Sequence, residues 1–198
     1  MEHDLEYRMY GLVPYNISPI QQGIQYGHSL QEFNNAIIDY ILSDSFSLED
    51  ENWKQFDSWR KLHKTFIILN GGTTNKQSDI VTGEPLGTLN QHALRLTENE
   101  VKIATFNEPD LNDALTAVVF LVDERVFDKK KYPDFKDWLE EQYTSGYITD
   151  EIKAYCAATG KRPDYDRVFP TTYKNWVDHV GGRQNVWLRE FTSQFKLA

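Results

Sequence analysis

The chain has 198 residues, 40% of them hydrophobic and 14% aromatic, which is enough to bury the core of one ordinary domain. Its formal charge of −9 excludes a general polyanion binder, whose affinity comes from Lys and Arg displacing counterions from phosphates. No apolar run approaches the ~20 residues that span a bilayer, and Cys156, the sole cysteine, excludes an internal disulfide or a multi-cysteine metal site, so a cytoplasmic protein without membrane attachment is expected.

Residues 7–13, YRMYGLV, alternate aromatic and aliphatic side chains and predict a strand that Pro14 ends. A helix follows. Ser18 is a good N-cap, Pro19 sits at the first helical position where its missing N–H costs nothing, and Ile20, Ile24, Leu30, Phe33, Ile37 and Ile41 form an apolar stripe to about residue 42. NWKQFDSWRKL predicts a short amphipathic helix that buries Trp53, Phe56 and Trp59, with the acidic stretch 44–51 leading into it. KTFIILN, residues 64–70, is a compact apolar run and predicts a strand covered on both faces. Residues 71–87 are rich in turn formers and predict a long loop. A helix over 88–99, with Leu89, Ala93, Leu94 and Leu96 inward, precedes two strands at 101–107 and 115–123 that flank EPDLNDA.

The order β-α-α-β-α-β-β predicts an α/β fold, a small four-stranded mixed β-sheet with helices packed on it. Residues 1–127 form this domain, and 128–198 read as a C-terminal helical extension packed on it. Three amphipathic patterns, YPDFKDWLEEQYTSG, ITDEIKAYCAATG and NVWLREFTSQF, are ended or separated by Gly146, Gly160 and the pair Gly181 and Gly182. Cys156 reads as a half-buried residue of the second. Charge is divided unevenly: residues 1–127 hold 19 acidic and 9 basic side chains, residues 128–198 hold 11 and 12. A nucleic-acid surface would therefore use the C-terminal third, with Lys129, Lys130, Lys131, Lys161, Arg162, Arg167, Lys174, Arg183 and Arg189, and with Trp138, Trp176 and Trp187 as candidates for base stacking.

The first helix carries a second stripe. Gln21, Gln25, His28 and Glu32 are three or four apart and share one face. Gly23 and Gly27, also four apart, leave a strip without side chains, although each interior helix glycine costs about 1 kcal/mol relative to alanine. Something must come close to the backbone there: a strand packed tightly on the helix, or a ligand beside Gln25 and His28.

YGLVPYNISPIQQGIQYGHSLQEF resembles the opening of the type-2 peptidyl-tRNA hydrolase superfamily, in which a first strand leads into a helix with a small-residue-rich A-Q-x-x-H-A pattern. Here that pattern reads Gly23-Ile24-Gln25-Tyr26-Gly27-His28-Ser29. TFIILN is similar to the family's second strand and FNEPDLNDALTAVVF to its paired last strands, so the resemblance covers residues 7–122. It is greatest with the divergent members found in bacterial and phage genomes. The resemblance implies hydrolysis of the ester joining a peptide or amino acid to the terminal ribose of tRNA, with no metal and no cofactor. It also implies a site lined by Gln25, His28, Glu108 or Asp110, and Thr116, with the carboxylates or His28 activating water. The family's lysine before the motif falls at Gln21 or Gln22, neither of which carries its charge.

Two functions follow as expectations. One is a peptidyl-tRNA hydrolase-like enzyme with His28, Glu108, Asp110 and Thr116 as catalytic candidates, and Gln21, Gln22, Gln25, Gly23 and Gly27 at the substrate. The other is a non-catalytic binding protein for a nucleotide, a small signalling molecule or a partner protein, including a phage factor acting against host defence. In either, tRNA or a nucleotide would meet the C-terminal third, and that extension could join copies of the chain into a homo-oligomer.

Overall fold

The computed structural model describes residues 5–73, 87–142, 147–161 and 164–198. Most of the loop expected at 71–87 therefore lies outside the described residues, as does Gly146. The chain divides into two compact units. One comprises the residues up to Glu124 together with Glu190–Ala198, and the other Arg125–Arg189.

The first unit is an α/β fold with the expected β-α-α-β-α-β-β order. Its elements are β1 (Tyr7–Val13), α1 (Pro19–Ile41), α2 (Glu51–Ser58) running on into a π-helical turn (Trp59–His63), β2 (Thr65–Asn70), α3 (Thr88–Glu98), β3 (Ile103–Glu108) and β4 (Ala114–Asp123). The four strands form one mixed sheet in the order β2-β1-β4-β3. β1 runs parallel to β2 and antiparallel to β4, and β3 runs antiparallel to β4. The two central strands are the most apolar. All but one of the ten residues of β4 are buried, as expected for a strand covered on both faces.

Side-chain alternation along β1 and β4 makes two cores. On one face Met9, Val13, Ala117 and Val119 meet Tyr26, Phe33 and Ile37 of α1 and Phe56 and Trp59 from α2 and the turn after it. On the other, Phe120 lies 6.1 Å from Tyr10 and 6.3 Å from Phe191, whose ring is 5.1 Å from Phe195. Leu89 and Leu96 of α3 are fully buried, while Leu94 is 44% exposed, contrary to the inward position expected of it.

KTFIILN forms a strand, but at the sheet's edge. Only Leu69 is buried and Phe66 is 49% exposed, so the expectation of cover on both faces does not hold for β2. Apolar content alone does not separate a central strand from an edge strand covered by ring edges, here Tyr26 and Trp59 at 5.9 and 5.6 Å from Phe66. Residues Glu190–Ala198, which the helical pattern groups with the C-terminal extension, belong to the sheet unit. Asn70 N–H donates to the Lys196 carbonyl and Ala198 N–H to that of Ile68, which blunts part of the β2 edge.

α1 starts as its sequence predicts. Ser18 Oγ accepts from Gln21 N–H and Gln21 Oε1 accepts from Ser18 N–H, a capping box, with Pro19 in the first turn. Its buried side, however, is not the isoleucine stripe throughout. Ile20 is 78% and Ile24 49% exposed, whereas Gln25, Tyr26, Ser29, Phe33 and Ile37 are buried. The reason is Tyr26. Its ring lies against Gly11 in the middle of β1, so close that a Cβ on Gly11 would stand 2.2 Å from Cε2, and its hydroxyl donates to the Met9 carbonyl at 2.9 Å. Burial raises the phenol's pKa, so it stays a neutral donor. One large ring seated on a glycine turns the first half of α1 by more than the weaker preference of two isoleucines can resist.

The second unit holds α4 (Glu124–Phe127) from its second residue on, α5 (Phe135–Gln142), α6 (Tyr147–Thr159), α7 (Tyr165–Val168), α8 (Pro170–His179) and most of α9 (Arg183–Thr192). It has its own core of Phe135, Leu139, Trp176, Val177 and Val180, with half-buried Cys156 at its margin. α8 was not expected, because its Thr and Asn residues are weak helix formers, yet Pro170 at its start was a usable signal. Arg189 is 3% exposed and donates to the carbonyls of Arg125 and Tyr132 and to Asp134 Oδ1. Trp176 is 5% exposed and donates to the Pro133 carbonyl. Both are interior residues and neither can serve the nucleic-acid surface expected of them. Among the described residues no helix is long and apolar enough to cross a membrane.

Two outcomes test this packing. Gly11→Ala forces the Tyr26 ring off its seat, and overpacking of this kind costs about 1–3 kcal/mol, read as a lower urea midpoint. His92 is held between Phe191 and Phe195, 5.8 and 4.8 Å away, with Nδ1 buried and unbonded among the described residues. Burial first, and Arg95 second, lower its pKa. The unfolded chain then takes up a proton near pH 6.5 that the folded chain resists. The folded state therefore keeps its full stability above that pH and loses it as pH falls toward the depressed folded value, and His92→Phe flattens this part of the melting-temperature profile.

Candidate functional site

The polar residues of α1 sit over β3, the other edge strand. Alternation puts Ala104, Phe106 and Glu108 on the α1 face of that strand. Each meets one turn of the helix. Ser29 Oγ donates to the Ala104 carbonyl at 2.9 Å, the His28 ring is 4.5 Å from that of Phe106, and Gln25 Nε2 donates to Glu108 Oε2 at 2.5 Å. The stripe read from the sequence thus includes a seam that fastens the helix to the sheet edge, with buried Ser29 as a member the sequence reading did not include.

Thr116 joins this seam through an irregularity. Phe106 pairs with Ala117 and Asn107 with Leu115, so Thr116 is the extra residue of a β-bulge. The bulge lets Thr116 and Ala117 face the same side, and Thr116 Oγ1 lies 2.7 Å from Gln25 Oε1 and 3.2 Å from the Phe106 carbonyl. A carboxylate only accepts, so the Gln25 amide must turn its nitrogen to Glu108 and its oxygen to Thr116. Both ends of this 7% exposed amide are then satisfied.

The turn after β3 holds Glu108 in place. Pro109–Leu111 form a 3-10 turn, Glu108 Oε1 is 3.5 Å from Asp110 N–H, and Asn112 and Asp113 both have φ near 55°, a left-handed conformation that Asn and Asp tolerate. Asn107 Nδ2 closes the turn on the Asp113 carbonyl at 2.9 Å. The structure therefore joins Glu108 and Thr116 through the two ends of the Gln25 amide and places the His28 ring against Phe106. Asp110 joins only through its backbone and its side chain is exposed.

The remaining expected site residues lie apart from this contact. Gln21 is taken by the capping box, and Gln22 Nε2 donates to the Pro14 carbonyl at 2.9 Å. Gly23 and Gly27 are exposed, and a Cβ on either would meet nothing within 4 Å, so among the described residues no strand packs on them. Among the described residues no group of three or more His, Cys, Asp or Glu is arranged to hold a metal ion.

No family model, no curated protein and no solved structure matches this chain.

The site's chemistry is a half-buried carboxylate oriented by a neutral amide, with an exposed imidazole on the same helix as that amide, against Phe106. If the clamp is needed to hold Glu108, breaking it is measurable without any ligand. Thr116→Val keeps the shape but leaves Gln25 Oε1 buried and unpaired, which costs about 1–3 kcal/mol. Chemical denaturation should show that loss, while Asp110→Asn, at an exposed side chain, should leave the midpoint within about 0.5 kcal/mol.

Proposed function

We propose that the sheet unit is a hydrolase of the type-2 peptidyl-tRNA hydrolase kind, cleaving the ester between a peptide or amino acid and the terminal ribose of tRNA. The observation that carries this reading is the Gln25–Glu108–Thr116 contact. Three residues up to 91 positions apart meet between α1 and the β3–β4 turn, at the positions where the resemblance implies a site.

In this reading Glu108 takes a proton from water, the water oxygen attacks the ester carbonyl, and the ester C–O bond breaks with the ribose oxygen taking up a proton. Gln25 fixes the carboxylate so that its other lone pairs face outward, and the exposed His28 supplies the proton or a hydrogen bond to the departing oxygen. The open side of α1 at Gly23 and Gly27 lets the substrate approach the helix backbone. The capping box already uses Gln21 N–H, and neither Gln21 nor Gln22 carries charge, so the oxyanion receives less stabilisation than a lysine would give.

That same feature favours a second reading, a binding protein that keeps the site and does not turn over. Glu108 has the Gln25 amide and Asp110 N–H as its hydrogen-bond partners among the described residues, and neither carries a positive charge to stabilise an anionic transition state.

Release of labelled peptide from peptidyl-tRNA decides between them. The hydrolase reading expects turnover that falls about 10²–10⁴-fold in Glu108→Gln and measurably in His28→Ala. No release with enzyme in excess over substrate overturns it, and calorimetric binding of uncleaved substrate would then support the second reading.

A further inference from the structure

We propose that the second unit carries a nucleoside-phosphate site in the cleft between α8 and the start of α9. This goes beyond the ester-cleaving reading and does not rest on it, since the cleft lies wholly within Arg125–Arg189. The cleft has a volume of about 510 Å³ and is lined by Pro170, Tyr173, Lys174, Val177, Asp178 and Arg183. That size and this mixture of apolar wall and few polar groups are those of a small-ligand site.

The turn between the helices places the charges. Gly181 and Gly182 take φ of 88° and 102°, left-handed values that favour glycine, and their N–H groups donate to the carbonyls of Asp178 and Val177. The chain reverses tightly enough to return Arg183 to the face of α8 that bears Lys174. Lys174 and Asp178 are one helical turn apart, yet among the described residues neither has an ion-pair partner within 4.0 Å. Elsewhere in the unit Lys129 pairs with Asp134, Lys136 with Glu140 and Lys153 with Asp150.

Two cations at one mouth suit a phosphate dianion, the Lys174 ammonium acting as a point charge beside the Arg183 guanidinium. A carboxylate beside them weakens the hold on a bare anion, but accepts from donors such as a ribose diol or a base amino group. Tyr173, Pro170 and Val177 offer the aromatic and apolar surface on which a base packs. Phosphate, donors and a flat apolar ring in one small molecule define a nucleoside monophosphate.

Calorimetric titration of the full chain with AMP, ribose 5-phosphate, inorganic phosphate and a short single-stranded RNA tests this. The proposal expects AMP to bind at one site per chain. Ribose 5-phosphate should bind at least fivefold more weakly, and Lys174→Glu and Arg183→Glu should each weaken AMP at least tenfold. Both positions are exposed, so circular dichroism should show the variants folded. RNA binding tighter than AMP with the same losses in the variants also supports the site and makes a polymer phosphate its natural occupant. Absence of binding by AMP and RNA at millimolar concentration, inorganic phosphate equal to AMP, or unchanged affinity in Lys174→Glu and Arg183→Glu overturns it. Glu108→Gln leaves AMP binding unchanged, so failure here and failure of the hydrolase reading are separate results.

Discussion

The Tyr26 ring on Gly11 is the contact on which the sheet unit's arrangement depends. A side chain at position 11 would keep α1 away from β1, and a smaller residue at position 26 would leave α1 free to roll toward its isoleucines. With the ring seated and its hydroxyl tied to the Met9 carbonyl, both the depth and the rotation of the helix are set. Gln25, one residue earlier, and Ser29, three later, are then directed to β3, and Phe33 and Ile37 to the aromatic core beneath α2. One buried ring therefore decides which of two available stripes faces inward.

At β3 the consequence is an edge strand that packs Ala104 and Phe106 on its covering helix and is also held to it by polar contacts. Such contacts are directional, so they specify register where apolar packing would permit sliding. They also leave the half-buried Glu108 carboxylate and the exposed His28 ring at the margin of the core. The β-bulge at Thr116 supplies the third point of the clamp. Without the extra residue, strict alternation would send the Thr116 side chain to the α3 face, and the Gln25 carbonyl would have no donor.

The second unit is organised by a different device. Arg189 draws two backbone carbonyls and Asp134 to one guanidinium, and the Phe135–Trp176 cluster fills the interior around α5 and α8. A buried arginine with every guanidinium nitrogen hydrogen-bonded is specific in a way an apolar side chain is not, and it removes one apparent basic residue from the surface. Counting charges along the chain overstates the positive face of this unit for that reason.

The strand and helix order of the sheet unit, the Ser18 cap and the α/β class were legible in the sequence, because each depends on short-range chemistry: hydrophobic period, turn residues and capping side chains. The choice between α1's two stripes, the edge position of β2, the burial of Arg189 and Trp176, and the role of Gly11 were not. They depend on which residues far apart in the chain come to touch. The site shows the same division. Gln25 and His28 stood out in the helix pattern and Glu108 and Thr116 were named through the family resemblance, but only the tertiary structure made a clamp of Gln25, Glu108 and Thr116, since an amide acquires a direction when a carboxylate and a hydroxyl from β3 and β4 stand at its two ends.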